Sequence, residues 1–185
     1  MSHICTFTEV ELYGLWALAN SRNAKRPGVQ SRKMYEGADD LITNYVGLKA
    51  EYAFTRLAEL PINSQVNVVG GGDTAYIVHG RTVHIRASDD LLIFTDADAF
   101  TADVAVLVSP FGQDRDPFSG SHPRHFRRSV AIKGWVTREE FLAKCHTRQM
   151  PYGPRLCLRD GQLYPIEELL AAPVPPPVPQ QLALV

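Results

Sequence analysis

The chain lacks long apolar runs, and this absence bears on membrane insertion. Its longest uninterrupted apolar stretches, such as Leu91 to Phe94 and Val104 to Val108, hold about five residues. A transmembrane helix needs about 20. The N-terminal residues also lack a basic segment ahead of an apolar core, so no secretory signal is predicted. We therefore expect a cytoplasmic protein without a membrane partner.

Cysteine is scarce as well. Cys5, Cys145 and Cys157 are odd in number and contain no C-x-x-C pair. This pattern favours reduced thiols over a disulfide framework, and it argues against a structural zinc site.

Neither sign of charge is in excess, because the chain has 19 basic and 20 acidic residues and a formal net charge of -1. Such a balance does not predict wholesale attraction to nucleic acid or to an anionic membrane.

The basic residues are nevertheless unevenly distributed. The stretch from Asn20 to Tyr35 and the stretch from Ser121 to Arg128 contain no acid. Each is either a solvated basic loop or a local patch for phosphate groups. The candidate nucleic-acid-binding residues are Arg22, Lys25, Arg26, Arg32, Lys33, Arg124, Arg127 and Arg128.

What the sequence does contain is enough apolar material for one core. Of the 185 residues 45% are hydrophobic, and a chain of this size buries roughly 70% of its unfolded surface. We expect a single domain over residues 1–170. Residues 171–185 are rich in proline and should form an extended tail without regular hydrogen bonds.

Two helices are predicted first. Thr6-Phe7-Thr8-Glu9 and Thr8-Glu9-Val10-Glu11 both fit a capping box, and apolar residues then recur at helical spacing to about residue 22. A second helix should start near Asp39 or Asp40 and end at Pro61. Gly47 lies inside it at a cost of about 1 kcal/mol in helix propensity, and a close packing contact is the simplest reason for a glycine there.

The later pattern has the period of strands. Residues 73–78 and 82–86 flank His79-Gly80 and predict a β-hairpin that places His84 and Arg86 on one face. Further strands are expected at 91–94, 103–108, 129–136 and 156–158. Thr137-Arg138-Glu139-Glu140 fits another capping box ahead of a short helix at 141–146, and a turn-like helix is expected at 164–170. Together these elements predict an α/β (α+β) domain with a mixed sheet flanked by helices.

The order of five segments resembles small phage and bacterial proteins of the PD-(D/E)XK nuclease-like superfamily. These segments are Gly-Leu-Lys-Ala-Glu-Tyr-Ala-Phe (47–54), the Gly-rich run and hairpin (70–88), Ala-Asp-Val-Ala-Val-Leu-Val (102–108), Gly-Trp-Val-Thr-Arg-Glu-Glu-Phe (134–141) and the stretch 152–169. The resemblance implies a restriction-endonuclease-like core and, if the protein is phage-encoded, a place in the host cytoplasm.

In that family, carboxylates from a helix and a hairpin hold Mg²⁺, while a lysine orients water for attack on a phosphodiester. By resemblance Glu51 matches the helix glutamate. Ala75 stands where the strand aspartate belongs, His84 where the second acid belongs, and Arg86 where the lysine belongs. An alanine offers no metal ligand, and an arginine stays protonated and cannot act as a base. The carried-over catalytic set is therefore degenerate. The resemblance also implies that Glu51, Ala75, His84 and Arg86 line one face of the helix–hairpin junction.

One alternative restores a metal site. Asp73 lies two residues before Ala75, and a bulge at the glycine run could bring it beside Glu51 and His84. Two carboxylates and one imidazole suit Mn²⁺ or Zn²⁺ better than Mg²⁺, although Mg²⁺ is the family's ion. The competing interpretation makes Asp73 a turn residue and leaves the protein without a cofactor.

Three functions follow from these observations. The first is a pseudoenzyme that binds DNA or RNA, or a host protein of nucleic-acid handling or defence. The second is an active metal-dependent nuclease that uses Glu51, Asp73 and His84. The third is a protein-binding module whose Pro-rich tail docks into an aromatic-lined groove.

Overall fold

A five-stranded mixed sheet carries three helices on one face, and a smaller, three-stranded sheet with a fourth helix on the other. The computed structural model describes residues 2–24, 40–62, 76–120, 126–151 and 153–171. The strands are β1 (His3–Thr6), β2 (Tyr76–Val78), β3 (Arg81–Ala87), β4 (Leu91–Phe94), β5 (Val104–Phe111), β6 (Phe126–Thr137), β7 (His146–Met150) and β8 (Gly153–Arg159). The α-helices are α1 (Glu9–Ala24), α2 (Asp40–Leu57), α3 (Arg138–Lys144) and α4 (Ile166–Ala171), and a 3-10 turn spans Asp160–Gln162.

The five strands of the larger sheet follow the order β1-β6-β5-β3-β2. Neighbours are antiparallel except β3 and β5, which run parallel. Parallel neighbours need a crossover connection, and here the chain crosses through β4 in the second sheet. That sheet has the order β4-β8-β7 and is antiparallel throughout. The mixed α/β class predicted from sequence is confirmed.

The central strand β5 separates two apolar clusters. Val104, Val106 and Val108 belong to the cluster beneath α1, α2 and α4, whereas Ala105 and Leu107 belong to the cluster beneath the second sheet and α3. Every residue of β5 is buried. Because both faces of this strand are covered, its sequence is almost continuously apolar and does not alternate between apolar and polar residues.

Capping residues set the starts of two helices as predicted. The Thr8 backbone N–H donates to Glu11 Oε2 at 2.7 Å, and the Glu11 N–H donates to Thr8 Oγ1 at 3.3 Å, which together form the capping box before α1. At α3 the Glu140 N–H donates to Thr137 Oγ1 at 3.2 Å. The hairpin turn at His79-Gly80 is also confirmed, with positive φ angles of 49° and 77° that a tight two-residue turn requires.

Some sequence expectations were wrong. The β1 strand at the N-terminal end was not predicted, and β7 begins at His146, where a helix was expected to continue. Among the described residues, apart from the backbone of its own helix, no heavy atom lies within 4 Å of a Cβ built at Gly47, so a close packing contact with them does not explain that glycine. The proline-rich residues 172–185 lie outside the described part of the chain.

A different glycine has a clear steric role. Gly134 in β6 has φ of 151°, and a Cβ at this position would lie 2.4 Å from the Tyr164 carbonyl oxygen. The backbone there meets the segment before α4, because Trp135 and Tyr164 exchange backbone hydrogen bonds of 3.0 and 2.8 Å. Only a residue without Cβ permits this approach. Of the helices described, none is long and apolar enough to cross a membrane.

Candidate nucleic-acid interface

Glu51, the predicted helix carboxylate, lies on α2 at the helical face of the large sheet. Its Oε2 is 3.5 Å from Arg22 Nη1 of α1 and accepts a hydrogen bond of 3.4 Å from the Tyr76 hydroxyl. Both side chains of the ion pair are largely buried, with exposures of 13% for Arg22 and 21% for Glu51. A guanidinium thus lies beside this carboxylate, and it repels a divalent cation.

His84 and Arg86 lie on the opposite face of the sheet. His84 is 2% exposed, its ring centroid lies 6.2 Å from that of Phe94 and 6.0 Å from that of Phe100, and its Nε2 is 3.3 Å from Thr101 Oγ1. The Arg86 guanidinium lies 4.4 Å above the Phe94 ring. Both side chains therefore pack into the cluster under the second sheet.

The expectation that Glu51, His84 and Arg86 share one junction needs correction. Strand parity correctly places His84 and Arg86 on one face, but the residues of β3 that meet the α2 cluster are Val83, Ile85 and Ala87. Parity alone does not say which face meets α2. Asp73 and Ala75 lie outside the described residues, and the described residues contain no group of three or more His, Cys, Asp or Glu able to hold a metal.

The two predicted basic patches are only partly described. Lys25, Arg26, Arg32, Lys33 and Arg124 fall outside the described residues. The described members each have an acidic neighbour, since Arg22 pairs with Glu51, Arg127 Nε lies 3.9 Å from Asp114, and Arg128 Nη2 lies 3.3 Å from Glu9. These arginines are already partly neutralised within the protein.

A third basic surface was missed in the sequence analysis. We name it the basic hairpin and define it as β7, the turn and β8, residues 146–159. Arg148 and Arg155 are direct cross-strand partners, and His146 pairs with Cys157 on the same face of this antiparallel ladder. Arg159 follows Arg155 at even spacing along β8, so it lies on that face too. His146, Arg148 and Arg159 are exposed and Arg155 is half-buried.

The arginines of the basic hairpin differ from most other cations of the described residues in having no described acid within ion-pair distance. No described acid lies within ion-pair distance of Arg148, Arg155 or Arg159, and Arg155 Nη1 donates instead to the Pro154 carbonyl at 2.8 Å. Like charges directly opposite one another in a sheet are destabilising unless something neutralises them. Ion pairs with described acids are made by Arg22, Lys49, Arg56, Arg127, Arg128, Lys133 and Lys144.

The positive field of this face reaches a neighbouring thiol. Burial raises the pKa of Cys157, while the guanidinium groups of Arg148 and Arg155 act to lower it. Cys157 is fully buried between the two arginines of β8. The thiol is therefore a covered part of the sheet, and the accessible chemistry of the face is that of its guanidiniums.

A sequence signal for the basic hairpin existed. No Asp or Glu occurs between Glu140 and Asp160, while Lys144, Arg148, Arg155 and Arg159 all lie there. The segment contains buried apolar residues between the charges, so its sequence is not a dense basic run. Alternation along β8 separates the apolar residues from the cations, so the charge collects on one face only after the strand forms.

A buried ion pair was also missed. Lys49 of α2 and Asp116 of the segment after β5 form it, and the Asp116 Oδ2 also accepts from the Tyr45 hydroxyl at 3.2 Å. Lys49 Nζ further donates to the Arg127 carbonyl. Burial lowers the pKa of Lys49, and the nearby Asp116 opposes that shift. Both side chains are fully buried, and the pair anchors residues 112–120 to α2.

Comparisons with protein-family models, with curated proteins and with solved structures found no match to this chain. The nuclease-like resemblance and its restriction-endonuclease-like core therefore stay predictions.

Proposed function

We propose that this protein binds nucleic acid through the basic hairpin and acts by binding, not by cleavage. The observation that supports this proposal is the cross-strand pair of Arg148 and Arg155, two like charges with no described acid beside them. A polyanion removes the repulsion between them and gains their charge-assisted hydrogen bonds. Nucleic acid supplies such phosphates at close and regular spacing.

The dimensions of the face suit several phosphates. Arg155 and Arg159 are four residues apart, which is about 13 Å along a strand. Arg148 lies across from Arg155, and the His146 ring can supply a further hydrogen-bond donor. Guanidinium groups bind phosphate oxygens through two parallel hydrogen bonds, which favours arginine over lysine at such a surface.

The proposed mode of action also follows from the separation of Glu51 from His84 and Arg86. A hydrolytic Mg²⁺ site needs several oxygen ligands around one ion. Glu51 is paired with Arg22 on one side of the sheet. His84 is packed among aromatic rings on the other side. This arrangement favours the pseudoenzyme over the rearranged Glu51, Asp73 and His84 nuclease.

Binding can be tested by fluorescence anisotropy with the full chain and labelled DNA or RNA oligonucleotides at several salt concentrations between about 50 and 200 mM. Each phosphate contact contributes about -0.9 to the slope of log affinity against log salt. The double variant Arg148→Gln, Arg155→Gln should therefore weaken binding and make the slope shallower by about 1.8.

The matched control is Arg127→Gln, Arg128→Gln, which removes the same charge from residues that already have acidic neighbours. We expect its slope to change much less. A larger change in this control than in the hairpin variant would move the interface to the segment around residues 121–128. No binding to any oligonucleotide at low salt would contradict the proposal and favour the protein-binding module.

A further inference from the structure

The outer part of the basic hairpin is a two-stranded ribbon. The third strand, β4, pairs only with residues 156–159 of β8. Beyond that point Arg148 to Met150 pair with Gly153 to Arg155 alone. We name these six residues the distal ribbon. Arg148, Gln149 and Pro154 are exposed and the other three are half-buried, so polar side chains of both of its faces reach solvent.

The distal ribbon has the size of a groove-binding element. Three residue pairs at about 3.3 Å each extend roughly 10 Å beyond the edge of the third strand. The major groove of B-form DNA is about 8.5 Å deep and about 12 Å wide, and it admits a two-stranded β-ribbon. We propose that the distal ribbon enters the major groove of duplex DNA, an inference that rests on the proposed function.

The side chains of the ribbon match the chemistry of base edges in that groove. Arginine donates two hydrogen bonds to O6 and N7 of guanine, which is the commonest specific contact in protein–DNA complexes. Arg148 and Arg155 supply this group on one face of the ribbon, and Gln149 on the other face matches the N6 and N7 edge of adenine. His146 and Arg159, nearer the body of the protein, are placed to contact the phosphate backbone.

The same geometry favours a DNA duplex over an RNA duplex. The major groove of an A-form RNA helix is deep and too narrow for side chains to read. Single strands are held mainly by stacking of bases on exposed aromatic rings. The turn of the hairpin contains Tyr152, which lies outside the described residues, so single strands are distinguished from duplex DNA by the experiment below.

The test measures the affinity of the full chain for DNA duplexes of about 20 base pairs that share one mixed sequence. An unmodified duplex is the reference for two modified ones. In the first, 7-deazaguanine replaces guanine and removes the N7 acceptor from the major groove. In the second, inosine replaces guanine and removes the amino group from the minor groove. We expect the first to lower the affinity of the full chain by at least about 5-fold, and the second to leave it close to that of normal DNA.

The variant Arg148→Gln, Arg155→Gln completes the experiment, because it should lose most of its discrimination between guanine and 7-deazaguanine. An RNA duplex or a single strand bound as tightly as the DNA duplex would overturn the major-groove inference. So would sensitivity to inosine without sensitivity to 7-deazaguanine. In both cases binding itself would persist, so the proposed function would stand, whereas no binding to any probe would remove both.

Discussion

Lys49 Nζ lies 2.5 Å from Asp116 Oδ2, and both side chains are fully buried. The two residues are 67 positions apart in sequence. Three aromatic rings surround the ammonium group, with centroids 5.5 to 5.9 Å from Nζ. The pair therefore joins α2 to the segment that leads into β6, inside the main apolar cluster.

Loss of one partner of this pair should cost more than loss of both charges. Lys49→Met leaves the Asp116 carboxylate buried without its cation, and we expect it to lower the free energy of unfolding by roughly 3–5 kcal/mol. The double variant Lys49→Met, Asp116→Asn removes both charges and keeps one amide oxygen, which can accept from either the Tyr45 hydroxyl or the Phe118 N–H. Urea unfolding should place its stability above that of Lys49→Met. A double variant at the sum of the two single losses would contradict this coupling.

The stability contributed by Asp103 should depend on pH. Its Oδ2 accepts hydrogen bonds of 2.7 Å from both the backbone N–H and the hydroxyl of Thr82, and these bonds lower the pKa of the carboxyl group. A lowered pKa means that the stabilisation is present above the unfolded value of about 4 and is lost as the pH falls through the folded value.

Asp103→Asn should accordingly reduce stability at pH 7 by about 1 kcal/mol, a modest figure because the side chain is exposed. Urea midpoints of the two proteins should converge when the pH is brought well below 4. A constant difference between the two proteins across that pH range would show that the carboxylate charge is not the cause.

Two glycines should respond in opposite directions to alanine. Gly134→Ala places a Cβ 2.4 Å from the Tyr164 carbonyl oxygen at φ of 151°, so we expect a loss of more than about 2 kcal/mol. Gly47→Ala, in open space on α2, should instead stabilise the protein by about 0.5–1 kcal/mol. Thermal unfolding of both variants measures this directly. A destabilising Gly47→Ala would point to a contact made outside the described residues.

Cleavage of DNA or RNA should be absent with Mg²⁺ or Mn²⁺. The carboxylate of Glu51 is paired with Arg22 and is separated by the sheet from His84 and Arg86. Incubation with plasmid, linear duplex and single-stranded substrates, followed by gel electrophoresis, checks this expectation. The Glu51→Ala variant distinguishes contamination from activity. Cleavage by the natural protein that this variant lacks would revive the nuclease with Glu51, Asp73 and His84.

The sequence predicted those features that depend on local pattern. Capping residues located α1 and α3, and the positive-φ turn at His79-Gly80 located the hairpin of β2 and β3. Packing between distant segments decides which face of β3 meets α2. The positions of His84 and Arg86 relative to Glu51 could therefore not be predicted from the sequence. The Lys49 and Asp116 pair was missed for the same reason. The pairing of Arg148 with Arg155 needed the register of two strands, one of which was not predicted.

The pairing of β1 with β6 has a consequence for folding during synthesis. Thr6 and Ser129, joined through their hydroxyl groups, are separated by 123 positions. At 5–20 residues per second, the ribosome takes roughly 6–25 s to make the stretch between them. During that time Cys5 and Phe7 have no sheet to join, although α1 and α2 can already pack locally. The nascent chain therefore presents apolar surface to chaperones until β6 emerges, and completion of the large sheet is a late event.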